Sequence, residues 1–235
     1  MGMVINLIRP SVELIGTVNG DKILEKLELC GRVCYKSEDR IEPGTAKKFI
    51  KGIVDSGHES VIEHEYISAR VICDRGVSHE IVRHRIGSYS QESTRYCNYG
   101  TKGLTFVIPP WVTSFSPGIY GCEQLRQKAM FFLRWAETEE QDKRYLNERI
   151  WSRSIWMAAL DYLQLLENGW TPQQARAILP NSLKTEIIIT YNLRQWRHFL
   201  KLRCSRNAHP QMHEIAFKLL WNLRQELPVL FDDIV

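Results

Sequence analysis

Apolar side chains recur along the chain with two spacings, every second residue in some segments and every third or fourth in others. Alternation over Glu65–Cys73 and Leu183–Asn192 predicts two strands, and Thr185 falls on the mostly apolar face of the second. Helical spacing over Asp21–Tyr35 and Thr45–Asp55 predicts two amphipathic helices. Further strands are predicted at 3–8, 11–17 and 105–108, and further helices at 118–139, 145–168, 193–202 and 210–226.

Local signals mark several helix boundaries. Thr171-Pro172-Gln173-Gln174 combines an N-cap threonine, a proline at the first helical position and a capping-box glutamine, so a helix is predicted to begin there and to end by Pro180. Ser78 is predicted to cap a short helix that runs into the next segment. Ser60 and Glu63 have the spacing of a capping box.

The order of these elements predicts an α+β fold, because strands and helices are mixed without strict βαβ alternation. The chain has no internal repeat, no low-complexity tract and no obvious linker. We therefore expect a single domain over residues 1–235, with a mixed sheet flanked by long helices.

Composition places the chain among ordinary globular proteins. Of 235 residues, 44% are hydrophobic and 25% are charged. There is no apolar run of membrane-spanning length, and the first residues lack the pattern of a secretory signal, so we expect a cytoplasmic protein with no membrane partner. None of the six cysteines forms a CxxC pair, which favours reduced thiols.

The segment 83–96, Arg-His-Arg-Ile-Gly-Ser-Tyr-Ser-Gln-Glu-Ser-Thr-Arg-Tyr, has the chain's most unusual composition. Arginine presents a planar fork of donors that matches phosphate oxygens, and hydroxyl and amide side chains suit a sugar or a pyrimidine edge. Gly87 permits close approach of the backbone. No packed helix or strand is expected here; the composition predicts a surface that holds phosphate groups and a hydrogen-bonding ring.

A second basic segment, 194–207, carries five cations and no acid, although the net charge of +4 is too weak to indicate nucleic acid by itself. The chain has neither a P-loop nor a GxGxxG loop, so any nucleotide must be held by side chains. His58-Glu59 lacks the second histidine of an HExxH site, and no metal site is predicted.

The spacing within 83–96 resembles the signature of the flavin-dependent thymidylate synthases, RHRxxSxNxxSxRY, with Ser90 in place of Asn. Residues 57–64 are similar to the family's GHE-(S/T)-xxEH segment, and 175–180 to its AR-x-x-LP segment. Residues 192–203 are similar to its N-x-R…F-x-x-LR region.

The resemblance implies a set of site residues. The implied contacts of dUMP are Glu80, Arg83, Gln91, Ser93, Thr94, Arg95, Arg176 and Arg203, with Arg203 as the catalytic residue that activates the substrate. The implied contacts of FAD are His58, Ser60, Glu63, Arg83, His84, Arg85, Gln91, Asn192, Arg194, His198 and His209. Ser93 lacks an obvious neighbouring base, so it is interpreted as a hydrogen-bond partner of the substrate and not as a nucleophile.

The resemblance also implies the reaction, which is reductive methylation of dUMP at C5 to give dTMP. The one-carbon donor would be 5,10-methylenetetrahydrofolate, the reductant NAD(P)H acting through FAD, and the assembly a homotetramer with sites between subunits. Two other hypotheses remain open. The two basic segments with their nearby aromatic residues also suit an RNA- or DNA-binding module, and the same pocket would suit a flavin or nucleotide enzyme of another reaction.

Overall fold

The computed structural model describes residues 4–121 and 143–234, and in it β-sheets and helices both contribute to the fold, which confirms the predicted α+β class. The strands are β1 (Val4–Ile8), β2 (Ser11–Ile15), β3 (Tyr66–Asp74), β4 (Ser88–Gln91), β5 (Leu104–Val107), β6 (Gly118–Gly121) and β7 (Lys184–Asn192). The helices are α1 (Gly20–Val33), α2 (Thr45–Asp55), α3 (Arg75–Ile81), α4 (Tyr99–Lys102), α5 (Lys143–Glu167), α6 (Pro172–Ala175), α7 (Leu193–Arg203), α8 (Pro210–Glu226) and α9 (Pro228–Phe231). Short 3-10 helices span Glu38–Arg40, Glu59–His64 and Arg176–Ile178.

The described residues fall into two compact units. The first comprises residues 4–10, 72–79, 91–121 and 143–186, and the second comprises 11–71, 80–90 and 187–234. One sheet has the order β5-β1-β6 and the other the order β2-β3-β7-β4. A single domain over 1–235 stays a prediction.

The core of the first unit lies on the sheet β5-β1-β6. β1 pairs parallel with β5 and antiparallel with β6, so this sheet is mixed. Alternation along β1 buries Ile5 and Leu7 and leaves Val4 half exposed, as a strand with one covered face requires. Phe106 of β5 and Tyr162 of α5 belong to the same core.

The second unit is built on α1, α2, α7 and α8. α1 packs against α2, burying Leu27 and Ile50, and α7 packs against α8. The buried indole of Trp196 on α7 donates to the carbonyl of Ile67 at 2.9 Å, which ties this helix to β3. The backbone of helix α7, and with it the starting point of each charged side chain on this helix, is therefore held in place.

Most predicted elements are confirmed with small shifts at their ends. The predicted helices at 45–55 and 210–226 agree with α2 and α8. The predicted helix start at Thr171 is confirmed, because the Gln174 side chain accepts from the backbone N–H of Thr171 at 2.9 Å. No helix within 4–121 or 143–234 combines the length and apolarity that crossing a membrane requires.

Four local predictions are wrong. Residues 118–121 are a strand and not a helix, because they pair with β1; the remainder of the predicted helix, 122–139, lies outside the described residues. Ser78 lies inside α3, whose first turn is capped instead by Asp74, which accepts from Val77 N at 2.7 Å. Residues 59–64 form a 3-10 helix without a side-chain cap. The segment 83–96 does contain a strand, β4, and buries His84 and Thr94.

The cysteines Cys30, Cys34, Cys73, Cys97 and Cys204 are free thiols, as predicted, and Cys122 lies outside the described residues. Burial raises the pKa of the Cys204 thiol to about 11, so this thiol stays protonated at neutral pH.

Candidate functional site

Arg203, at the end of α7, is held by two residues of the second unit. Its Nη1 donates to Glu80 Oε2 at 2.8 Å, and its Nε donates to His84 Nε2 at 3.0 Å. Nη2 also lies 3.4 Å from the backbone oxygen of Glu80. All three nitrogens of the guanidinium are therefore engaged, and its plane is fixed before any ligand binds.

His84 is a neutral base in this cluster. It is 7% exposed, and its ring meets Phe199 edge-to-face with the centroids 4.8 Å apart. Burial, assisted by the nearby charge of Arg203 and by His198, lowers the pKa of His84 from 6.5 to about 4. Because Nε2 accepts from Arg203, the proton of the neutral ring resides on Nδ1.

Two tyrosines fix the backbone between His84 and β4. The hydroxyls of Tyr89 and Tyr191 lie 2.7 Å apart, and Tyr89 also donates to the carbonyl of His84. A Cβ at Gly87 would lie 2.3 Å from ring carbons of Tyr191. The backbone therefore runs across the face of a buried aromatic ring, and only glycine fits at this position.

A cavity of about 470 Å³ lies beside α7 in the second unit. Its walls are formed by Glu59, Glu63, Ile86, Asn192, Arg194, Gln195, Arg197, His198 and Lys201. The predicted flavin contacts Glu63, Asn192, Arg194 and His198 are thus brought together on one surface, and the volume is typical of sites for small ligands.

Ion pairs organise the charges of this cavity. Arg194 donates to Glu63 at 2.5 Å, and its Nε lies 3.7 Å from Glu59. Arg197, only 2% exposed, donates to Glu59 at 3.2 Å and to both carboxylate oxygens of Asp233 at 2.7 Å. The chain of alternating charges fixes the cavity wall and leaves the heads of Arg194 and Lys201 about half exposed.

His58 lies on a separate cavity of about 770 Å³ in the second unit. Its Nδ1 is 3.4 Å from the hydroxyl of Tyr35. Arg32 lies on the same wall and stacks over the ring of Phe49, 4.4 Å from its centroid.

The first unit carries a separate cluster of predicted substrate contacts. Arg176 donates from Nη1 to the buried hydroxyl of Thr94 at 3.1 Å, and Arg95 donates from Nε to Gln173 at 3.3 Å. Both arginines are exposed, so most of their donors face solvent. Exposed guanidinium groups, one of them in contact with a hydroxyl, are suited to a phosphate monoester.

Gln91, at the end of β4, belongs to the same unit. Its Nε2 donates to Ser78 Oγ at 2.8 Å and to Thr185 Oγ1 at 3.2 Å. Both hydroxyl residues are fully buried. The amide nitrogen of Gln91 is thereby held by two buried hydroxyls, and its oxygen is left for other partners.

Comparison with known proteins gives a consistent assignment. The family model described as thymidylate synthase complementing protein matches residues 14–229. A flavin-dependent thymidylate synthase of Corynebacterium aurimucosum is 31% identical over 219 residues, covering 88% of this chain and 78% of that protein. Another, from Mycobacterium avium, is 33% identical over 210 residues with the same coverage. The chain belongs to the flavin-dependent thymidylate synthase family.

A solved structure supports the fold of this chain. The UMP/dUMP methylase PolB from Streptomyces cacaoi, crystallised with 5-Br dUMP, superposes with a TM-score of 0.68. The match covers 96% of this chain and 95% of that chain at 24% identity, so it concerns the fold alone.

Membership confirms the family, the class of enzyme and the cofactor that the sequence predicts: an FAD-dependent methyltransferase. The roles of individual residues stay predictions. Arg83 and Arg85 are exposed, and their guanidinium groups donate to no residue within 4–121 or 143–234. Ser60 and His209 are exposed, and His209 precedes the first turn of α8.

Sequence reasoning did not identify several residues that support the predicted contacts. They are Ser78 and Thr185 beneath Gln91, and Glu59, Arg197 and Asp233 beside the cavity. Thr185 carried a signal, because a polar side chain fell on the apolar face of a predicted strand. Arg197 and Asp233 are separated by 36 residues, and nothing local pairs them.

Proposed function

We propose that the protein methylates dUMP at C5 to give dTMP, with 5,10-methylenetetrahydrofolate as one-carbon donor and NAD(P)H as the source of reducing equivalents. Arg203 carries this proposal. It is a permanently charged group, fixed by Glu80 and by the neutral His84, and only 18% exposed.

A fixed guanidinium suits the activation of a uracil ring. C5 becomes nucleophilic when negative charge develops over N3, C4 and O4, and a nearby cation that needs no reorientation stabilises that charge. Arginine cannot release its proton at useful pH, so Arg203 acts electrostatically and not as a general acid. The neutral His84 holds Nε of Arg203 without competing for the negative charge of the substrate.

The cluster of Thr94, Arg95 and Arg176 is suited to the 5′-phosphate of the nucleotide. Ser93 serves as a positioning group within the same segment. The neighbouring carboxylate of Glu92 is occupied by the Tyr99 hydroxyl at 2.9 Å and by Lys184 at 2.7 Å, so it is not free to act as a base for Ser93.

The cavity beside α7 is suited to part of the flavin nucleotide. Arg194 and Lys201 offer half-exposed cations to a diphosphate, and Asn192, whose oxygen caps α7 by accepting from Gln195 N at 2.8 Å, keeps its amide N–H groups for a ligand. When bound, the flavin supplies hydride transfer. Folate use, NAD(P)H use, homotetramer assembly and a cytoplasmic location are part of this proposal.

The proposal is tested by the flavin spectrum and by turnover. We expect purified protein to carry FAD, or to take it up, and to form dTMP from dUMP, methylenetetrahydrofolate and NADPH. Arg203→Ala is expected to reduce turnover by at least about a hundredfold, because a preorganised charge is lost, while flavin stays bound.

Arg206→Ala is the matched control, because Arg206 is an exposed arginine three positions further along the same basic segment, and it is expected to behave as wild type. Full activity of Arg203→Ala would remove Arg203 from the mechanism. A colourless protein that binds no flavin would contradict the proposal and favour the RNA- or DNA-binding alternative.

A further inference from the structure

We propose that Ser78 and Thr185 are specificity-determining residues, which fix Gln91 as a contact that accepts but does not donate hydrogen bonds to the nucleotide. The inference rests on the proposed function in one respect, that Gln91 faces the substrate. Neither hydroxyl belongs to the motif residues of the family resemblance; the structure alone connects them to Gln91.

The geometry uses both N–H bonds of the Gln91 amide. A primary amide has two N–H donors and one carbonyl acceptor. Nε2 lies 2.8 Å from Ser78 Oγ and 3.2 Å from Thr185 Oγ1, so both donors point down into the protein. The carbonyl oxygen Oε1 accepts from no residue in the described part of the chain, and Gln91 is partly exposed.

The orientation of the amide follows from its neighbours. The Ser78 hydroxyl donates its hydrogen to the carbonyl of Arg75 at 2.9 Å, so its oxygen acts as an acceptor toward Gln91. Rotating the amide by half a turn would place Oε1 against that oxygen and cost the bond to Arg75. Ser78 and Thr185 are both 0% exposed, so water cannot replace the lost bonds.

An acceptor held in this way selects a ligand that presents a hydrogen-bond donor. A deoxyuridine nucleotide has two, the N3–H of its ring and the 3′-hydroxyl of its sugar. A cytosine ring has a lone pair at N3, which a carbonyl oxygen repels. The pair of buried hydroxyls thus turns a residue of ambiguous polarity into a group of fixed polarity.

The experiment compares ligand affinities, so it does not depend on turnover. Dissociation constants for dUMP, dCMP and 3′-O-methyl-dUMP are measured by calorimetry on the flavin-loaded protein, with wild type, Ser78→Ala, Thr185→Val and the double variant. dCMP lacks the N3–H, and 3′-O-methyl-dUMP keeps the 3′-oxygen as an acceptor but lacks the hydroxyl hydrogen, so the ratio of each dissociation constant to that of dUMP identifies the donor that Gln91 accepts from. Thr105→Val on β5 is the matched control, since Thr105 is a strand threonine of the same unit.

We expect one of the two ratios, the dissociation constant of the analogue divided by that of dUMP, to fall about tenfold in the double variant. The freed amide can then turn its N–H groups toward the acceptor of the analogue, and one hydrogen bond corresponds to about that factor. Thr105→Val keeps both ratios. Gln91→Glu keeps the preference as well, although with weaker overall affinity for the dianionic nucleotide, because a carboxylate offers only acceptors.

Ratios within about twofold of wild type in the double variant would overturn the inference while leaving the proposed function intact. Loss of the preference in Gln91→Glu would do the same, since it would mean that Gln91 donates to the ligand. Wild-type protein that does not bind dUMP would overturn the proposed function and this inference together.

Discussion

The side chains of the 83–96 segment owe their properties to partners elsewhere in the chain. His84 has an ordinary histidine's titration in the unfolded chain, but burial and the charge of Arg203 lower its pKa to about 4 in the folded protein. The neutral ring is what allows Nε2 to accept from Arg203. Protonation of His84 would place two cations in contact, so the cluster depends on pH.

The titration of His84 predicts the direction of the pH effect. A histidine whose folded pKa lies below its unfolded value takes up its proton more readily when unfolded, so stability is lost as pH falls from about 6.5 toward 4. We expect the free energy of unfolding to decrease by about 2 to 3 kcal/mol more in wild type than in His84→Gln by about pH 4.5. Urea denaturation of both proteins between about pH 7.5 and about pH 4.5 measures the difference.

His84→Gln is an informative reference, because glutamine can accept from Arg203 but does not titrate. Parallel curves for wild type and His84→Gln over this range would show that His84 is protonated as easily in the folded as in the unfolded protein. That result would remove the neutral histidine from the account of Arg203.

At the scale of residues, the sequence was sufficient to predict groups that would face a ligand but not the groups that orient them. Arginines and hydroxyls are conspicuous when they stand together, as they do at 83–95. Ser78 and Thr185 are single hydroxyls in separate elements, and their contact with Gln91 exists only because α3, β4 and β7 are packed together. The protonation state of a side chain such as His84 also depends on burial, and burial is set by the packing of separate elements.

At the scale of elements, β4 is shaped by one glycine. The backbone at Gly87 lies against the ring of Tyr191, which is fully buried and tied to Tyr89 through the hydroxyl pair. Because Tyr191 is buried on all sides, its ring cannot move away, and the backbone just before β4 is held against it. Residues 88–91 then continue as the strand that carries Gln91.

Gly87→Ala is therefore expected to destabilise the protein by about 1 to 3 kcal/mol, the usual cost of forcing a methyl group into a packed core. Gly52→Ala is the control, because a Cβ at Gly52 in α2 meets nothing within 4 Å and alanine is the better helix former. Gly52→Ala should be neutral or stabilising. Equal midpoints for the two variants in thermal unfolding would contradict the close approach at Gly87.

Hydrophobic periodicity predicted the elements whose apolar face is evident in their own sequence. It failed for two strands whose formation depends on pairing with another segment. The helix at 45–55 needed only its apolar spacing and was predicted with its full extent. Residues 118–121 form a strand because Ile119 and Tyr120 find partners in β1, a choice made by a segment more than a hundred residues away. β4 was missed because it contains three polar residues and a single tyrosine, which is too little for an apolar alternation.

At the scale of the whole molecule, residues 228–234 are bound by hydrogen bonds and an ion pair to α7, the helix that carries candidate flavin contacts. Arg197 on α7 is buried and donates to both oxygens of Asp233, and it also donates to the carbonyl of Leu230. The same guanidinium donates to Glu59 on the cavity wall. The last described segment of the second unit is thus part of the support for α7.

Asp233→Asn tests this support. The amide can accept only one hydrogen bond from Arg197, so a buried cation loses half of a bidentate pair, and we expect the free energy of unfolding to fall by about 1 to 2 kcal/mol after allowance for the exposure of Asp233. The Arg197 contact also lowers the pKa of Asp233, so this part of the stability is present at neutral pH and is lost as acid protonates the carboxylate.

Asp232→Asn removes the same charge one residue earlier, where the carboxylate is 70% exposed and lies 4.0 Å from Arg224, so it should change stability by less than about 0.5 kcal/mol. Urea denaturation at neutral pH separates the two variants, since a general effect of net charge would move both midpoints equally. A difference confined to Asp233→Asn assigns the effect to the paired, buried arginine. Equal effects would mean that the contact between Asp233 and Arg197 contributes no stability of its own.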